Sequence, residues 1–356
     1  MFGVFEKLRL AQDEERLDRI KGSLVGGAVG DALGYRVEFT QDFLIFKKYG
    51  DRGITDYELR DGIAEISDDT QMTLFTAEGL LHAREKYRSP TVDNYAHEIY
   101  GSYLDWYKTQ CESYTGEHSE HSELLNEAGL FSPRAPGGTC LKALESGNAG
   151  DLDFRINFSK GCGGVMRVAP VALMLSGRAT PEQIDLIAAR STAITHGHIL
   201  AFVSSVLVSR IISEVIDGKD LKSATEIARR AVKAFDSGDD AELMRYFDDK
   251  IALAVELASD AEIDPLDAIH ELGEGWVAEE TAAIAVYCSL RFSDSFTDAV
   301  VASVNHSGDS DSTGAVTGNI IGAYLGYSAI PERYLANLEH RDLLLRMAEK
   351  IADETI

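Results

Sequence analysis

Five residues that could hold a metal ion, His306, Asp309, Asp311, Ser312 and Thr313, fall within eight positions of the stretch Val304–Gly326, VNHSGDSDSTGAVTGNIIGAYLG. Two carboxylates with hydroxyls between them are the hard oxygen donors that a divalent cation such as Mg²⁺, Mn²⁺ or Ca²⁺ takes. The apolar run that follows predicts a helix whose first N–H groups face the same place. Asp and Ser also serve as ordinary helix caps and turns, and one such cluster does not decide between the two roles. An EF-hand loop fits Asp309, Asp311, Thr313 and Gly314, but it puts Ile320 where the bidentate Glu belongs and is excluded.

A second cluster shifts the balance. Ile66–Met72, ISDDTQM, sets Ser67, Asp68, Asp69 and Thr70 in succession ahead of another helical pattern, with Leu74, Ala77 and Leu81 on one face. Adjacent carboxylates repel each other, and a cap needs only one of them. A bound cation resolves that conflict.

Elements must exist to bring the clusters together. Gly22, Gly26, Gly30 and Gly34 recur at four-residue spacing in KGSLVGGAVGDALGYRVEF, and Gly314, Gly318, Gly322 and Gly326 repeat the pattern near the other end of the chain. On a helix this spacing makes a flat stripe that allows close backbone approach. Each glycine costs about 1 kcal/mol relative to alanine in a helix interior, so four in register imply a packing partner. The two stripes are expected to face each other; antiparallel packing would bring Asp31 and Glu38 to Asp309 and Asp311. No GK[ST] follows the first stripe, so it is not a P-loop.

Most of the rest reads as helix. Thr180, Pro181 and Gln183 form a capped helix start; Asp264 and Pro265 repeat the signal, and Gly273 stops that helix. Residues 184–217 and 222–258 carry apolar residues at three- and four-residue spacing, runs of alternating β-branched residues are lacking, and an all-α domain is expected. Three loops stand out: FSPRAPGGT (Phe131–Thr139), expected to be non-helical and to form a rim or lid; FSKGCGGVMRVAP (Phe158–Pro170), whose backbone N–H groups could cradle a phosphate or simply make a tight turn; and THGH, with His196 and His198.

The chain has 356 residues, 45% of them hydrophobic, ample for a buried core, and a formal charge of −25. That charge argues against general affinity for nucleic acid or anionic membranes. Cys111, Cys140, Cys162 and Cys288 are too scattered for a CxxC motif, and the charged first 20 residues lack the apolar core of a secretory signal. No uninterrupted run of eighteen apolar residues occurs. A cytoplasmic protein is expected, with a charged N-terminal arm or helix over residues 1–20 and one domain over 21–356.

Taken in order, GDALGYRVEF, SDDTQM, RAPGG, GCGGVMRVAP, THGH, GWVAEE and HSGDSDSTG resemble the ADP-ribosylglycohydrolase family, from about Lys21 to about Tyr327. The spelling is most similar to that of its arginine-type members. The resemblance implies a compact, single-domain, all-α orthogonal bundle with two divalent cations, Mg²⁺ or Mn²⁺, on the floor of an ADP-ribose cleft. It implies Ser67, Asp68, Asp69, Asp309, Asp311 and Ser312 as metal ligands, and Glu38 as the glutamate beside them. It further implies that Gly161, Cys162, Gly163, Gly164 and Met166 hold the diphosphate, that His196 lies near the distal ribose, and that Gly137, Gly138, Trp276 and Glu279 border the cleft. The activity implied is metal-dependent hydrolysis of the bond between ADP-ribose and a modified protein side chain, most often arginine, opposing an ADP-ribosyltransferase. The same chemistry on a serine, threonine, nucleobase or ester linkage is the near alternative. A non-catalytic ADP-ribose binder or toxin-immunity protein is the distant one, and the retained carboxylates speak against it.

Overall fold

Glycine at every fourth position strips a helix of side chains along one line, and here two such lines meet. The computed structural model describes residues 2–353, with side chains from Leu10 onward. The first glycine stripe lies in a helix running from Phe2 to Gly34, and the second in the helix Ser310–Leu325. A Cβ built on Gly30 would stand 2.0 Å from the carbonyl oxygen of Gly314, and one on Gly26 would stand 2.5 Å from that of Gly318. Gly22 opposes Gly322 and Gly34 opposes Ser310 in the same way, so the stripes face each other as expected and the helices are antiparallel. Backbone touches backbone, and only glycine permits it. A polar clamp sits beside the stripe: Ser23 Oγ donates to the Asn319 carbonyl at 2.9 Å, and Asn319 Nδ2 donates to the Ser23 carbonyl at 2.8 Å.

Around this pair the fold is a single all-α domain, 67% helical, with 16 α-helices and no strand among the described residues. The most apolar helix, Ile199–Ile216, is long enough to cross a membrane, but 94% of it is buried inside the fold. Its one arginine, Arg210, is neutralised by Asp185 through Nε–Oδ1 at 3.0 Å and Nη2–Oδ2 at 2.5 Å. It is a core helix.

The expected helix signals have structural counterparts. Thr180 and Gln183 form a reciprocal capping box with Pro181 at the first position, Asp264 caps the Pro265–Leu272 helix, and Gly273 ends it at φ 125°. The periodic stretch 184–217 is divided: Pro181–Ala193 and Ile199–Ile216 are separated by the THGH turn. Residues 222–258 likewise divide into Leu221–Val232 and Ala241–Ser259 around an acidic turn. The Pro- and Gly-rich loop ends earlier than expected, since Gly138 and Thr139 already open the Gly138–Glu145 helix with Gly137 as cap. The helix Phe2–Gly34 passes position 20 without a break, so the charged segment and the stripe are one element. The side chains of residues 1–9 lie outside those described. All four cysteines are free.

Gly30→Ala should separate the paired backbones and lower stability by about 1–3 kcal/mol or more. Gly101→Ala, in the Val92–Cys111 helix with nothing within 4 Å of the new methyl, should raise it by up to about 1 kcal/mol. Denaturant unfolding of both variants checks the pair, and a Gly30→Ala protein as stable as the parent would show that the contact is not constraining.

Candidate active site

Three helix ends converge because the glycine stripes are in register. The first helix ends at Gly34 and delivers Glu38 in the turn beyond it; Ser310–Leu325 begins with Asp309 as its cap and Asp311 in its first turn. The third, Asp68–Lys86, is pinned by Asp31. That fully buried carboxylate accepts from Ser67 N–H at 2.9 Å and Thr70 N–H at 3.1 Å, and from the Thr70 hydroxyl at 2.5 Å. A carboxylate at a helix N-terminus satisfies orphan N–H groups and the positive end of the helix dipole.

The result is a cleft with an acidic floor. Asp68, Asp69, Asp309 and Asp311 are each no more than 5% exposed. Single ligand atoms of Glu38, Asp309 and Asp311 lie within 4.8 Å of one another. Asp68 Oδ2 accepts from Gly137 N–H at 3.2 Å, and its own N–H donates to the Arg134 carbonyl at 3.0 Å, which ties the RAPGG loop to the floor. Asp309 Oδ1 accepts from Ser312 N–H at 3.3 Å and its Oδ2 from the Cys162 thiol at 2.9 Å. Asp69 Oδ2 is buried with no partner. Among the described residues no Lys or Arg forms an ion pair with any of the five.

Such a cluster cannot ionise freely. Burial first, and then the neighbouring carboxylates Asp309, Asp68 and Asp31, push Glu38 up to about 8. Burial outweighs the hydrogen bond from Gly137 at Asp68, which is also pushed up to about 8. Burial first, and then neighbouring carboxylates, drive Asp69 and Asp311 well above the usual range: Asp68, Asp31 and Asp309 act on Asp69, and Asp69, Asp309 and Glu38 on Asp311. An unpaired buried carboxylate oxygen, five converging oxygen-donor side chains and no basic side chain form the donor set of a hard divalent cation, so the residues fit that group.

The walls carry most of the expected binding residues. Gly137, Gly138, Gly161, Cys162, Gly163, Met166, His196, Trp276 and Ser312 line the cleft with Glu38 and the four floor aspartates. Three expected residues are placed differently. Ser67 is fully buried as the cap of Asp68–Lys86, its Oγ accepting from Asp69 N–H at 3.2 Å, and does not line the cleft. Gly164 turns away, because a Cβ there would meet Thr192 at 2.3 Å. Glu279 is fully buried and ion-paired with Lys160, whose carbonyl accepts from Ala278 N–H at 2.9 Å; these contacts staple the GCGG loop to the GWVAEE turn. His198 caps Ile199–Ile216 through Nδ1 and is not part of the lining.

The structure also adds residues. Phe39, 71% exposed with φ 61°, stacks on Trp276 across the mouth with ring centroids 5.1 Å apart. Its left-handed backbone is set by the fold and leaves no trace in the letters VEF. Asp31, already expected near Asp309 and Asp311 from its place on the glycine helix, gains a role: it acts through Ser67 and Thr70, a long-range bond that no local motif reports.

A family model described as ADP-ribosylglycohydrolase matches residues 12–356. The chain is 25% identical over 328 residues to the ADP-ribosyl-[dinitrogen reductase] glycohydrolase of Rhodospirillum rubrum, covering 90% of each chain. It is 26% identical over 350 residues to the ADP-ribosylarginine hydrolase Tri1 of Serratia proteamaculans, covering 96% of this chain and 81% of that one. A solved structure titled ADP-ribosylglycohydrolase-related protein complex shares the fold, with a TM-score of 0.62 and 24% identity over 96% of this chain.

Because Glu38 and Asp68 hold protons up to about pH 8 that the unfolded chain releases near the ordinary values of 4.5 and 3.8, the cation-free protein should lose stability as pH rises from about 4 to about 8. Mg²⁺ or Mn²⁺ should raise the melting temperature more at the upper end of that window than at the lower. Asp311→Asn should shrink the gain. Thermal scans at both pH values check this, and an equal shift at both would refute it.

Proposed function

Since this chain belongs to the ADP-ribosylglycohydrolase family, we propose that its cleft binds ADP-ribose linked to a protein side chain, arginine above all, and hydrolyses the glycosidic bond with the help of two divalent cations. The observation that carries this reading is the acidic floor itself, with the ligand atoms of Glu38, Asp309 and Asp311 within 4.8 Å under a wall of glycine backbone. Asp68, Asp69, Asp309 and Asp311, with Ser312 beside them, would hold the cations. When bound, the cations supply positive charge for the substrate's hydroxyls and lower the pKa of a water ligand.

The protein's own groups divide the remaining work. The cleft lining contains no Lys or Arg, so an anionic diphosphate must be met by backbone N–H groups at the starts of the Gly138–Glu145 helix and the Cys162–Arg167 turn, those of Gly137 and Gly161 being engaged by Asp68 and Ser159. Breaking the bond at the ribose C1 develops oxocarbenium character, which the floor carboxylates stabilise. Glu38, at the end of the first helix and facing the open side, orients the attacking water and takes its proton. Removing the modification reverses the work of an ADP-ribosyltransferase.

Two features favour arginine as the leaving side chain. The chain resembles an enzyme named for ADP-ribosylarginine. The stacked rings of Phe39 and Trp276 at the mouth offer flat π faces suited to a planar guanidinium, and the overall charge of −25 attracts a basic one.

Free ADP-ribose should be released from an arginine-ADP-ribosylated protein with Mg²⁺ or Mn²⁺ and not with EDTA, and Asp309→Ala should abolish release. Release from a matched serine-linked substrate alone would replace arginine by that linkage. Glu38→Gln should lower kcat by about 10²–10⁴-fold while changing the affinity for free ADP-ribose little; weakened affinity with unchanged kcat would remove Glu38 from proton handling.

A further inference from the structure

Directly behind the cleft wall lies a buried arginine with no carboxylate partner among the described residues. Arg167 is 1% exposed, and its guanidinium carbon sits 4.2 Å from the Tyr103 ring centroid. Its Nη1 donates to the sulfurs of Met72 at 3.2 Å and Cys140 at 3.4 Å, and its Nη2 to the Ser191 carbonyl at 3.4 Å. The shortest of its bonds, 2.6 Å, runs from Nη2 to the hydroxyl oxygen of Thr195. That hydroxyl lies 2.8 Å from Nδ1 of His196. Three buried side chains thus form a line that ends in the cleft.

The donor inventory orients the line. Arginine has only donors, so Thr195 Oγ1 accepts from it, and the threonine's one proton needs an acceptor of its own. Nδ1 of His196 is a neutral nitrogen acceptor at hydrogen-bond distance, and the other polar neighbour, the Cys140 sulfur, is a weak acceptor already used by Arg167. If Nδ1 carried a proton instead, Thr195 would accept twice and its fully buried hydroxyl proton would be left with only the weak Cys140 sulfur. The arrangement that satisfies every group puts the ring proton on Nε2. That atom has no protein acceptor among the described residues. It faces the glycine loop, 3.2 Å from where a Cβ would stand on Gly163 and 3.4 Å from one on Gly161.

We propose that Arg167 and Thr195 are positioning residues that fix His196 as its Nε2–H tautomer, so that the ring presents a permanent, uncharged hydrogen-bond donor to an oxygen of the ligand beneath the glycine loop. Burial, aided by the Arg167 charge, depresses the imidazole to about 3, so the ring stays neutral at ordinary pH. The opposite tautomer would aim a lone pair at an anionic oxygen and repel it. His196 is therefore a donor and not a base. The loop that carries it is fixed independently, with Gly197 N–H donating to Asn157 Oδ1 at 3.0 Å and Asn157 Nδ2 to the Thr195 carbonyl at 2.8 Å.

The ligand half of this proposal rests on the ADP-ribose reading above; the tautomer half does not. ¹⁵N spectra of histidine-labelled protein without ligand, assigned with His196→Gln, should show His196 protonated at Nε2 and bare at Nδ1. In Thr195→Val that signature should change, and the affinity for free ADP-ribose, measured by calorimetry, should fall about tenfold, the scale of one hydrogen bond. Thr195→Ser, which keeps the hydroxyl, should restore both. An Nδ1-protonated ring in the parent protein would overturn the proposal without any variant, and so would a Thr195→Val protein with unchanged signature and affinity. A parent protein with the expected tautomer that fails to bind ADP-ribose would instead overturn the proposed function and leave the relay standing.

Discussion

Two like charges about 4 Å apart repel by about 4 kcal/mol at an effective dielectric constant of about 20, and Glu38, Asp309 and Asp311 offer ligand atoms all within 4.8 Å, with Asp68 and Asp69 beside them. No flexible loop would keep such a group assembled. Here each member is fixed by a helix end, and the helix ends are fixed by contacts that leave no slack. Gly30 against Gly314 admits no side chain, so a slide of one helix along the other would run Cα atoms into carbonyl oxygens. Asp31 then binds the third helix start through Ser67 and Thr70, and the whole arrangement behaves as one rigid corner.

The same corner explains why the floor is stable in the folded chain at all. Buried carboxyls avoid repulsion by keeping their protons or by sharing a cation, and burial pushes Glu38 and Asp68 to about 8. The scaffold therefore stores an electrostatic demand that a divalent cation meets and a monovalent side chain does not. Lysine or arginine on this floor would pair with part of the group and compete with a metal for it. Of the arginines near the floor, Arg134 is paired with Glu65 and Glu339, and Arg167 is kept behind the wall and directed to Thr195.

Much of this was legible from spacing. Four-residue glycine periods named both helices of the central pair and their contact, and the antiparallel direction that brings Asp31 and Glu38 to Asp309 and Asp311 is supplied by the structure. The apolar pattern after Thr70 marked the third helix, and the doubled carboxylates at its start, Asp68 and Asp69, pointed to a cation, since a cap needs only one. What the letters hid depends on three-dimensional path. Gly164 reads like Gly163 in GCGG, but the 3₁₀ turn Cys162–Arg167 rotates one toward the cleft and the other onto Thr192. Glu279 reads as a cleft carboxylate until Lys160 is seen to claim it. Phe39 joins the mouth only because its backbone is left-handed. Periodic signals survive in sequence because they repeat; single reversals of direction do not.

An acidic chain that handles an anionic ligand faces opposite requirements on two sides of one cleft. The floor must stay negative to take cations, and the wall must attract phosphate oxygens without a positive side chain that the floor would capture as a counter-ion. A lysine beside the wall shows how readily such a charge is taken: Lys160, next to Gly161, is drawn into an ion pair with the buried Glu279 and does not line the cleft. Neutral donors escape that fate, because a backbone N–H or an Nε2–H has a dipole and no net charge for the carboxylates to pull on. A wall of glycine backbone backed by a histidine that stays uncharged is the solution consistent with both requirements. It also accounts for Arg167 acting at one remove, through a hydroxyl, where its charge depresses the imidazole and cannot reach the floor.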